Sequence, residues 1–510
     1  MDMKAVDPEQ FRLRRFVDRL AAMGEVDVRA EPIALPEVTG AIESNAKAVL
    51  FKQAGPEKYE MIGGVLGSRR RLAAAFGTDE KGLLSEFIRR VQSPHEPVAV
   101  SSSDAPVHQV VLTGADIDLA RLPFHLQHEF DGAPYISAAM DFTIDPKTGK
   151  PNVGCRRLML RGRRELRTNI TQMSDLKRIY LECIERKQRL PLSFVIGSHP
   201  TDFVSASMKV PMNEFACIGA LRGAPLPMVK GVSNGIPVPA DAEIVIEGYL
   251  DELGYSEMEG PYGELYGYYG PMHIDPVFHA TAVTMRRDPI YHTVLHGGRR
   301  VARNDAAQAA CLQTEAATLR TLRAEGIEVT AVRAMPSATG LHHVRVAIRQ
   351  SAAGQARAAI AALFKLPLLR LVFVADDDVD IWSEEDFEWA LCTRFRLDRD
   401  LVTEAGHFAL TMDPVIDENG KMTKGGFDMT APFGATERIV DRLSFAPKLA
   451  GAATHKTARD VLAAGPKYFV EIMRSLGSRD GREVTLELDL LREQGAIERL
   501  SNGEWALRKA

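Results

Sequence analysis

The chain has 510 residues, 45% of them hydrophobic and 26% charged, with a formal net charge of -5. That length exceeds what one hydrophobic core serves and predicts roughly two to four domains. The slightly acidic balance excludes wholesale binding to nucleic acid or to an anionic membrane surface and leaves small-molecule chemistry as the expected work.

Five cysteines, Cys155, Cys183, Cys217, Cys311 and Cys392, lie far apart without a CxxC pair, so no disulfide framework is expected. The first residues are charged and no run of eighteen apolar residues occurs, which predicts a chain neither exported nor anchored and working in a reducing cytoplasm.

Asp7-Pro8-Glu9-Gln10 has the form of an N-cap, a proline at the first helical position and a capping-box glutamine. Leu13, Phe16, Val17 and Leu20 follow at helical spacing up to Gly24, predicting a first helix. Short apolar runs (48–51 and 61–65) then alternate with a helical pattern carrying Leu83, Leu84, Phe87 and Ile88, so the first hundred-odd residues read as α/β.

From about 107 to 300 the texture is β. VHQVVL, ISAAMDFTI, CRRLMLRG, EIVIEGYL, HATAVTM and PIYHTVL alternate and are separated by Gly, Pro and Asp, with one helical interruption over 174–187. A barrel or sandwich with an inserted helix is predicted. Beyond 306, a helix containing Cys311, Leu312, Leu319 and Leu322 stops at Gly326, and IEVTAV, VRVAI and RLVFVAD alternate with an alanine-rich helix at 352–364, which predicts a further α/β unit. The last residues read as a helix with Leu486, Leu490 and Leu491, then a hairpin turning at Asn502-Gly503. Its shape is that of a winged helix, and its mixed charges favour docking over DNA binding.

Several stretches carry possible chemistry. In EGPYGE (259–264) a Pro-Tyr-Gly bend between Glu259 and Glu264 lets two carboxylates that would otherwise face opposite ways share one space. Held close in a tyrosine-lined pocket, two carboxylates cannot both ionise cheaply, so one is pressed toward proton donation; two solvated turn residues are the bland alternative. The arginines of 156–167 are either the polar face of a hairpin or a carboxylate clamp. ADDDVD (375–380) ends a buried strand, where metals or ribose hydroxyls are held or where charges cap the next helix. KGGFD (424–428) offers a lysine and two glycines to a phosphate, a weak signal without a Walker or GxGxxG loop. His125, His128, His292 and His296 form no HExxH pair, and there is no GxSxG elbow.

Together these stretches resemble the UbiD family of decarboxylases, which use prenylated flavin mononucleotide. The resemblance covers most of the chain and rests on LPFHLQHEFDGAPYISAAM (122–140), PNVGCRRLML (151–160), NEFACIGALRGAPLPMVKG (213–231), PADAEIVIEGYL (239–250), EGPYGE (259–264), ADDDVDIW (375–382), WALCTRF (389–395) and KGGFDMT (424–430), in that order. It implies a mixed α/β and β fold. An N-terminal α/β domain (1–106) would precede a central split β-barrel that binds the flavin (107–305), a C-terminal α/β oligomerisation domain (306–475) and a helix-hairpin tail (476–510).

The implied activity is a reversible non-oxidative decarboxylation of an aromatic, heteroaromatic or α,β-unsaturated acid, with a CoA thioester of a ring acid also open. Carried over by position, the family's catalytic network falls on Arg157, Glu259 and Glu264, with Glu264 as proton donor and Arg157 orienting the substrate carboxylate. The cofactor positions are Asn152, Arg157, Gln172, Glu214 and Lys424, of which Asn152 and Glu214 would hold a divalent metal such as manganese and Lys424 the flavin phosphate, with a potassium ion as a further cofactor. Gln172 is followed by Met173, where the family usually has a metal-binding histidine. A thioether is a poor ligand for a hard cation. A flavin prenyltransferase would supply the cofactor, and a homodimer or homohexamer is expected. A non-catalytic flavin-binding or complex-building subunit of the same fold is the alternative.

Overall fold

The computed structural model describes residues 7–171, 174–434, 444, 446–449 and 451–508. The chain divides into two compact units, one of residues 1–351 and 355–430, the other of 352–354 and 431–510.

The first unit is organised around a barrel. Strands Ile244–Leu250, Leu190–Ile196, Tyr135–Ile144, Pro151–Leu160, Glu165–Thr168 and Val277–Met285 pair in that order, and Val277–Met285 pairs again with Ile244–Leu250, closing the ring. All of these pairings are antiparallel. Closure removes sheet edges, and the alternation visible in the sequence puts Ile136, Leu158, Phe194, Ile246 and Phe278 into a shared core. Of the two architectures the texture allows, the chain forms the barrel. Helix Asp175–Glu185 is the expected interruption, capped by Ser174, whose side chain accepts from the Lys177 N–H.

The N-terminal sheet contains Val26–Arg29, Ala48–Ala54 and Tyr59–Gly63, and its fourth strand is Ile290–Thr293, contributed from far along the chain. The first helix runs from Leu13 to Ala22 and begins several residues later than the capping pattern predicts. Residues 8–11 form a turn instead. The reason is tertiary: Glu9 accepts from Arg286 at 2.6 Å, and Arg12 donates to Glu243 at 3.2 Å and Asp288 at 2.9 Å, so this segment is tied to the barrel.

The rest of the first unit is a five-stranded mixed sheet, in the order Glu328–Ala334, His343–Arg349, Leu371–Asp376, Lys421–Met429, Leu401–Phe408. Helices Asp305–Ala324 and Gln355–Phe364 bury Leu322, Ile360 and Leu363 against one face, while Phe387 and Ala390 of Glu384–Arg394 cover the other.

The second unit has its own core. Ala458, Val461, Ile472, Val484, Leu488 and Ile497 bring together helices Ala458–Ala463, Phe469–Leu476 and Arg482–Glu493 with the hairpin Ile497–Arg499 and Trp505–Leu507. An isolated bridge between Lys467 and Trp505 adds a short strand segment between the first two helices, giving winged-helix topology. The division at 475/476 expected from sequence therefore moves: residues 458–475 share the core of the tail, because Ile472 packs with Val484 and Leu488. The outer face of Arg482–Glu493 mixes Arg482, Glu483, Asp489 and Glu493 with exposed Leu486 and Leu490, not the basic surface that a DNA backbone requires. Among the described residues no helix is long and apolar enough to cross a membrane.

Candidate active site

A cavity of about 370 Å³ lies in the first unit, between the barrel and the start of helix Asp305–Ala324. Its barrel wall includes Arg156 and Arg157, neighbours on one strand that would ordinarily face opposite ways. Opposite them the partner strand slips register between Ile136 and Ala139, a bulge of the kind found at barrel rims beside functional sites.

The EGPYGE segment extends a two-stranded hairpin of Glu257–Glu259 and His273–Asp275, continued by a bridge between Gly263 and Tyr269. Gly260 sits at φ +97 and precedes a cis bond to Pro261. A side chain at Gly263 would collide with the imidazole of His128, so only glycine lets the hairpin pass so close. The result is the convergence that the spacing allowed. Arg157 donates from Nε to Glu259 Oε1 at 2.9 Å, from Nη2 to Glu259 Oε2 at 2.8 Å, and from Nη1 to Glu264.

All three groups are nearly out of water: the Arg157 side chain is 11% exposed, Glu259 0% and Glu264 4%. Burial alone would lower the affinity of Arg157 for its proton, but the charges of Glu264 and Glu259 outweigh it and hold the guanidinium firmly cationic. Tyr135 donates to Glu259 Oε1 at 2.8 Å. Tyr262 lies with its ring 4.6 Å from the guanidinium carbon and donates its hydroxyl to Gln127 at 2.7 Å. Burial pushes both phenols well above their ordinary range, so they remain donors. The other carboxylate oxygen of Glu264 faces His296 Nε2 at 3.6 Å, and burial disfavours the charged form of that imidazole. Asp275 ties the hairpin to the neighbouring loop by accepting from Asn169 at 3.1 Å and Ile170 at 3.2 Å, and burial pushes its carboxyl up to about 6.

Asn152 and Glu214 are also brought together. The Glu214 side chain, at the first position of helix Glu214–Arg222, accepts from the N–H of Val153, next to Asn152. Asn152 donates to Asp141 at 3.4 Å, and Asp141 pairs with Arg156 at 3.0 Å. Burial pushes Glu214 up to about 7 and raises Asp141 as well, so two costly carboxyls adjoin this corner. A hard cation there would relieve that cost, and an amide oxygen with a carboxylate suits magnesium or manganese. The donor set fits a divalent ion. Gln172 and Met173 lie outside the described residues, while their neighbours Thr171 and Ser174 line the cavity.

Lys424 does not join the site. It is fully buried in strand Lys421–Met429, and its ammonium donates to the carbonyls of Phe364 at 2.7 Å and Leu366 at 2.6 Å, holding the end of helix Gln355–Phe364. The second of the two glycines that follow it has a packing reason, since a side chain at Gly426 would collide with Ile360. Lys424 thus holds a helix end in this structure and is not among the residues that line the cavity; the flavin phosphate expected there stays a proposal. The ADDDVD aspartates are likewise structural: Asp376 and Asp378 pair with Arg394, and Asp377 with Arg349. Among the described residues no group of three His, Cys, Asp or Glu side chains is placed to hold a metal.

Sequence reasoning missed Tyr135, and it weighed His296 only as a zinc ligand. Tyr135 stands inside the quoted GAPYISAAM stretch, but nothing local links it to Glu259, 124 positions away.

Comparison with known proteins gives the lineage. Models of the 3-octaprenyl-4-hydroxybenzoate carboxy-lyase (UbiD) N-terminal, Rift-related and C-terminal domains match residues 18–91, 98–299 and 309–429. Anhydromevalonate phosphate decarboxylase of Methanosarcina mazei is 31% identical over 424 residues, covering 82% of this chain and 95% of that protein. The UbiD-class enzyme HmfF from Pelotomaculum thermopropionicum, solved in complex with FMN, superposes with a TM-score of 0.80 at 29% identity, covering 85% of this chain and 97% of that one. An evolved dimeric form of HmfF in complex with prFMN gives 0.76 at 29% identity, over 86% and 97%. Three domain models in order and a relative matched over most of both lengths leave one assignment: this chain belongs to the UbiD family of carboxy-lyases.

Proposed function

We propose that this protein catalyses the reversible non-oxidative decarboxylation of an aromatic, heteroaromatic or α,β-unsaturated carboxylic acid, with prenylated FMN in the barrel cavity. The observation that carries the reading is the cationic Arg157 held between buried Glu259 and Glu264 at the cavity wall. When bound, the prenylated flavin supplies the electrophilic site that accepts the electron pair released as carbon dioxide leaves. Asn152 and Glu214 would hold its divalent ion, and Gln172 would adjoin its ring.

The chain's own residues do the rest. Arg157 presents positive charge to the substrate carboxylate and orients it. Glu259, anchored by Tyr135 and by two bonds from Arg157, keeps that guanidinium in place. Glu264 carries the proton to the carbon that lost its carboxylate, and in the carboxylation direction it takes that proton away. A flavin prenyltransferase supplies the cofactor, and a homodimer or homohexamer is the working assembly. A non-catalytic scaffold has no physical use for paired buried carboxylates on a cavity, so the structure lends that alternative no support.

The test is Glu264→Gln in protein co-produced with a flavin prenyltransferase. Loss of carbon dioxide release from a panel of aromatic and unsaturated acids, with the protein still folded and its flavin content unchanged, is expected. Retained turnover in the variant, or a folded wild type that takes up no flavin, refutes the reading.

A further inference from the structure

The hairpin that carries Glu264 is tied at its base to the loop 127–131, where Gly263 donates its N–H to Asp131 at 3.1 Å and the Tyr269 hydroxyl accepts from the Phe130 N–H at 2.7 Å. Beyond Glu264 the chain makes a tight turn. The Gly267 N–H donates to the Glu264 carbonyl at 2.8 Å, and the Glu264 N–H donates to the Tyr268 carbonyl at 2.7 Å. Of the three tyrosines that follow Glu264, Tyr268 is 62% exposed and Tyr269 37%, whereas Tyr266, at the turn itself, is half-buried and meets His342.

The Tyr266 hydroxyl lies 2.6 Å from His342 Nε2, and the two rings stack with centroids 5.2 Å apart. The direction of the bond is set by the other ring nitrogen. His342 Nδ1 lies 2.6 Å from the Leu368 carbonyl, which can only accept, so Nδ1 carries the hydrogen. Burial, helped by the charge of Arg370, holds the imidazole down to about 4, so the ring is neutral near pH 7 and Nε2 offers a lone pair. Burial pushes the Tyr266 phenol up to about 12, so it keeps its proton and is the donor.

His342 is fixed from behind. Its carbonyl accepts from the N–H of Arg370 at 3.0 Å and of Leu371 at 2.7 Å, at the start of strand Leu371–Asp376, and Arg370 pairs with buried Asp413. Leu265 and Leu341, the residues just before Tyr266 and His342, both line the cavity, while Tyr266 and His342 do not. One hydrogen bond therefore joins the turn that follows Glu264 to the five-stranded sheet beside the same cavity, and it acts on the cavity only through that turn.

We infer that Tyr266 is a positioning residue, which through its hydrogen bond to His342 holds the turn after Glu264, and so the Glu264 carboxyl, where it exchanges a proton with the substrate carbon. The inference rests on the decarboxylase reading for what Glu264 does there.

The test uses the full-length, cofactor-loaded protein and the variants Tyr266→Phe, His342→Asn and His342→Gln. An asparagine amide reaches about as far as Nδ1 and can still donate to Leu368, whereas a glutamine oxygen reaches about as far as Nε2 and can still accept from Tyr266. Carbon dioxide release from 4-hydroxybenzoate, pyrrole-2-carboxylate, cinnamate and sorbate gives kcat and KM. Hydrogen–deuterium exchange read by mass spectrometry gives the protection of residues 262–270 in the same samples. Tyr266→Phe and His342→Asn should lower kcat about fivefold to tenfold, the worth of one hydrogen bond, with KM within about twofold because Arg157 still holds the substrate carboxylate. Both should speed exchange over 262–270, and His342→Gln should stay within about twofold of the wild type in each quantity, with flavin content equal in all four proteins. Tyr266→Phe carries the test alone should His342→Asn fail to fold.

Three results overturn the inference: kcat or exchange over 262–270 unchanged in Tyr266→Phe, KM raised beyond that limit or flavin lost with the substitution, or His342→Gln impaired as much as His342→Asn. Faster exchange in Tyr266→Phe, with no carbon dioxide released by the wild type from any of the four acids, would uphold the clasp and refute the decarboxylase. Release by the wild type, matched by Tyr266→Phe in kcat and in exchange, would do the reverse.

Discussion

Glu259→Gln is the most informative single change, because it alters charge while keeping shape. Glu259 accepts three hydrogen bonds, from Arg157 Nε, Arg157 Nη2 and the Tyr135 hydroxyl. A glutamine oxygen can still accept from the first and the last, but its NH₂ then faces the Nη2 N–H, donor against donor. One charge-assisted bond is lost, worth roughly 1.5–3 kcal/mol, and a buried cation loses one of its two counter-ions. Breaking a buried pair costs about 3–5 kcal/mol in total. Since Glu264 remains to balance Arg157, we place the loss near the lower end, about 3 kcal/mol.

The catalytic effect should be about as large as the structural one. With Glu259 neutral, Arg157 has Glu264 as its only carboxylate partner in the cluster and draws it away from proton transfer. Turnover should fall about a hundredfold, equivalent to about 2.7 kcal/mol of barrier. Urea denaturation followed by far-ultraviolet circular dichroism reads the first quantity, and carbon dioxide release at saturating substrate reads the second. A variant within 0.5 kcal/mol of the wild type and within threefold of its turnover would refute the claim that the two carboxylates share one arginine (these limits are about the error of such comparisons).

Other consequences follow from the same structure. Glu214→Gln should abolish tight binding of Mn²⁺, read by electron paramagnetic resonance, while leaving the fold intact; undiminished binding would remove Glu214 from the metal site. Asp305, whose carboxyl burial pushes up to about 6 against the opposing pull of the Leu66 N–H and Arg71, binds its proton more tightly folded than unfolded. Its contribution to stability is therefore present below about pH 4 and lost as the pH rises to about 6. The wild type should lose about 2–3 kcal/mol relative to Asp305→Asn across that window, and parallel stability–pH curves would contradict it. Arg222 is fully buried between Asp202 and Asp241, at 2.8 Å and 2.6 Å, and Arg222→Met strands both carboxylates, so unfolding free energy should drop by about 3–5 kcal/mol. Ile472→Ala should cost the second unit about 2–5 kcal/mol, seen as an earlier melting step with carbon dioxide release unaffected.

What could be read in the sequence was what is encoded locally. Alternation gave the barrel strands, since one face of each is buried, and Gly-Pro-Tyr-Gly between Glu259 and Glu264 announced a bend that could join two carboxylates. The partners of that pair come from elsewhere. Arg157 was one of six arginines in its run, and nothing local shows that it and Arg156 both line the cavity. Tyr135 and His296 carry no mark of their own; burial and neighbours from remote segments give them meaning. A lysine before two glycines looks like a phosphate loop, and its sequence gives no sign that the strand buries that ammonium against two carbonyls and packs Gly426 on Ile360. The first helix started late because Glu9 and Arg12 bond to barrel residues more than 200 positions away, a tertiary override of a local capping pattern.

The strand Ile290–Thr293, which completes the N-terminal sheet beside Tyr59–Gly63, sets an order of events during synthesis. Until residue 293 has left the ribosome, the early sheet presents the open edge of Tyr59–Gly63 to the cell, a template for pairing with any other extended chain. The whole barrel is translated in the interval, so the N-terminal region cannot mature first and wait. Its last strand arrives only with the barrel, and a chain truncated within the barrel should expose that edge and aggregate.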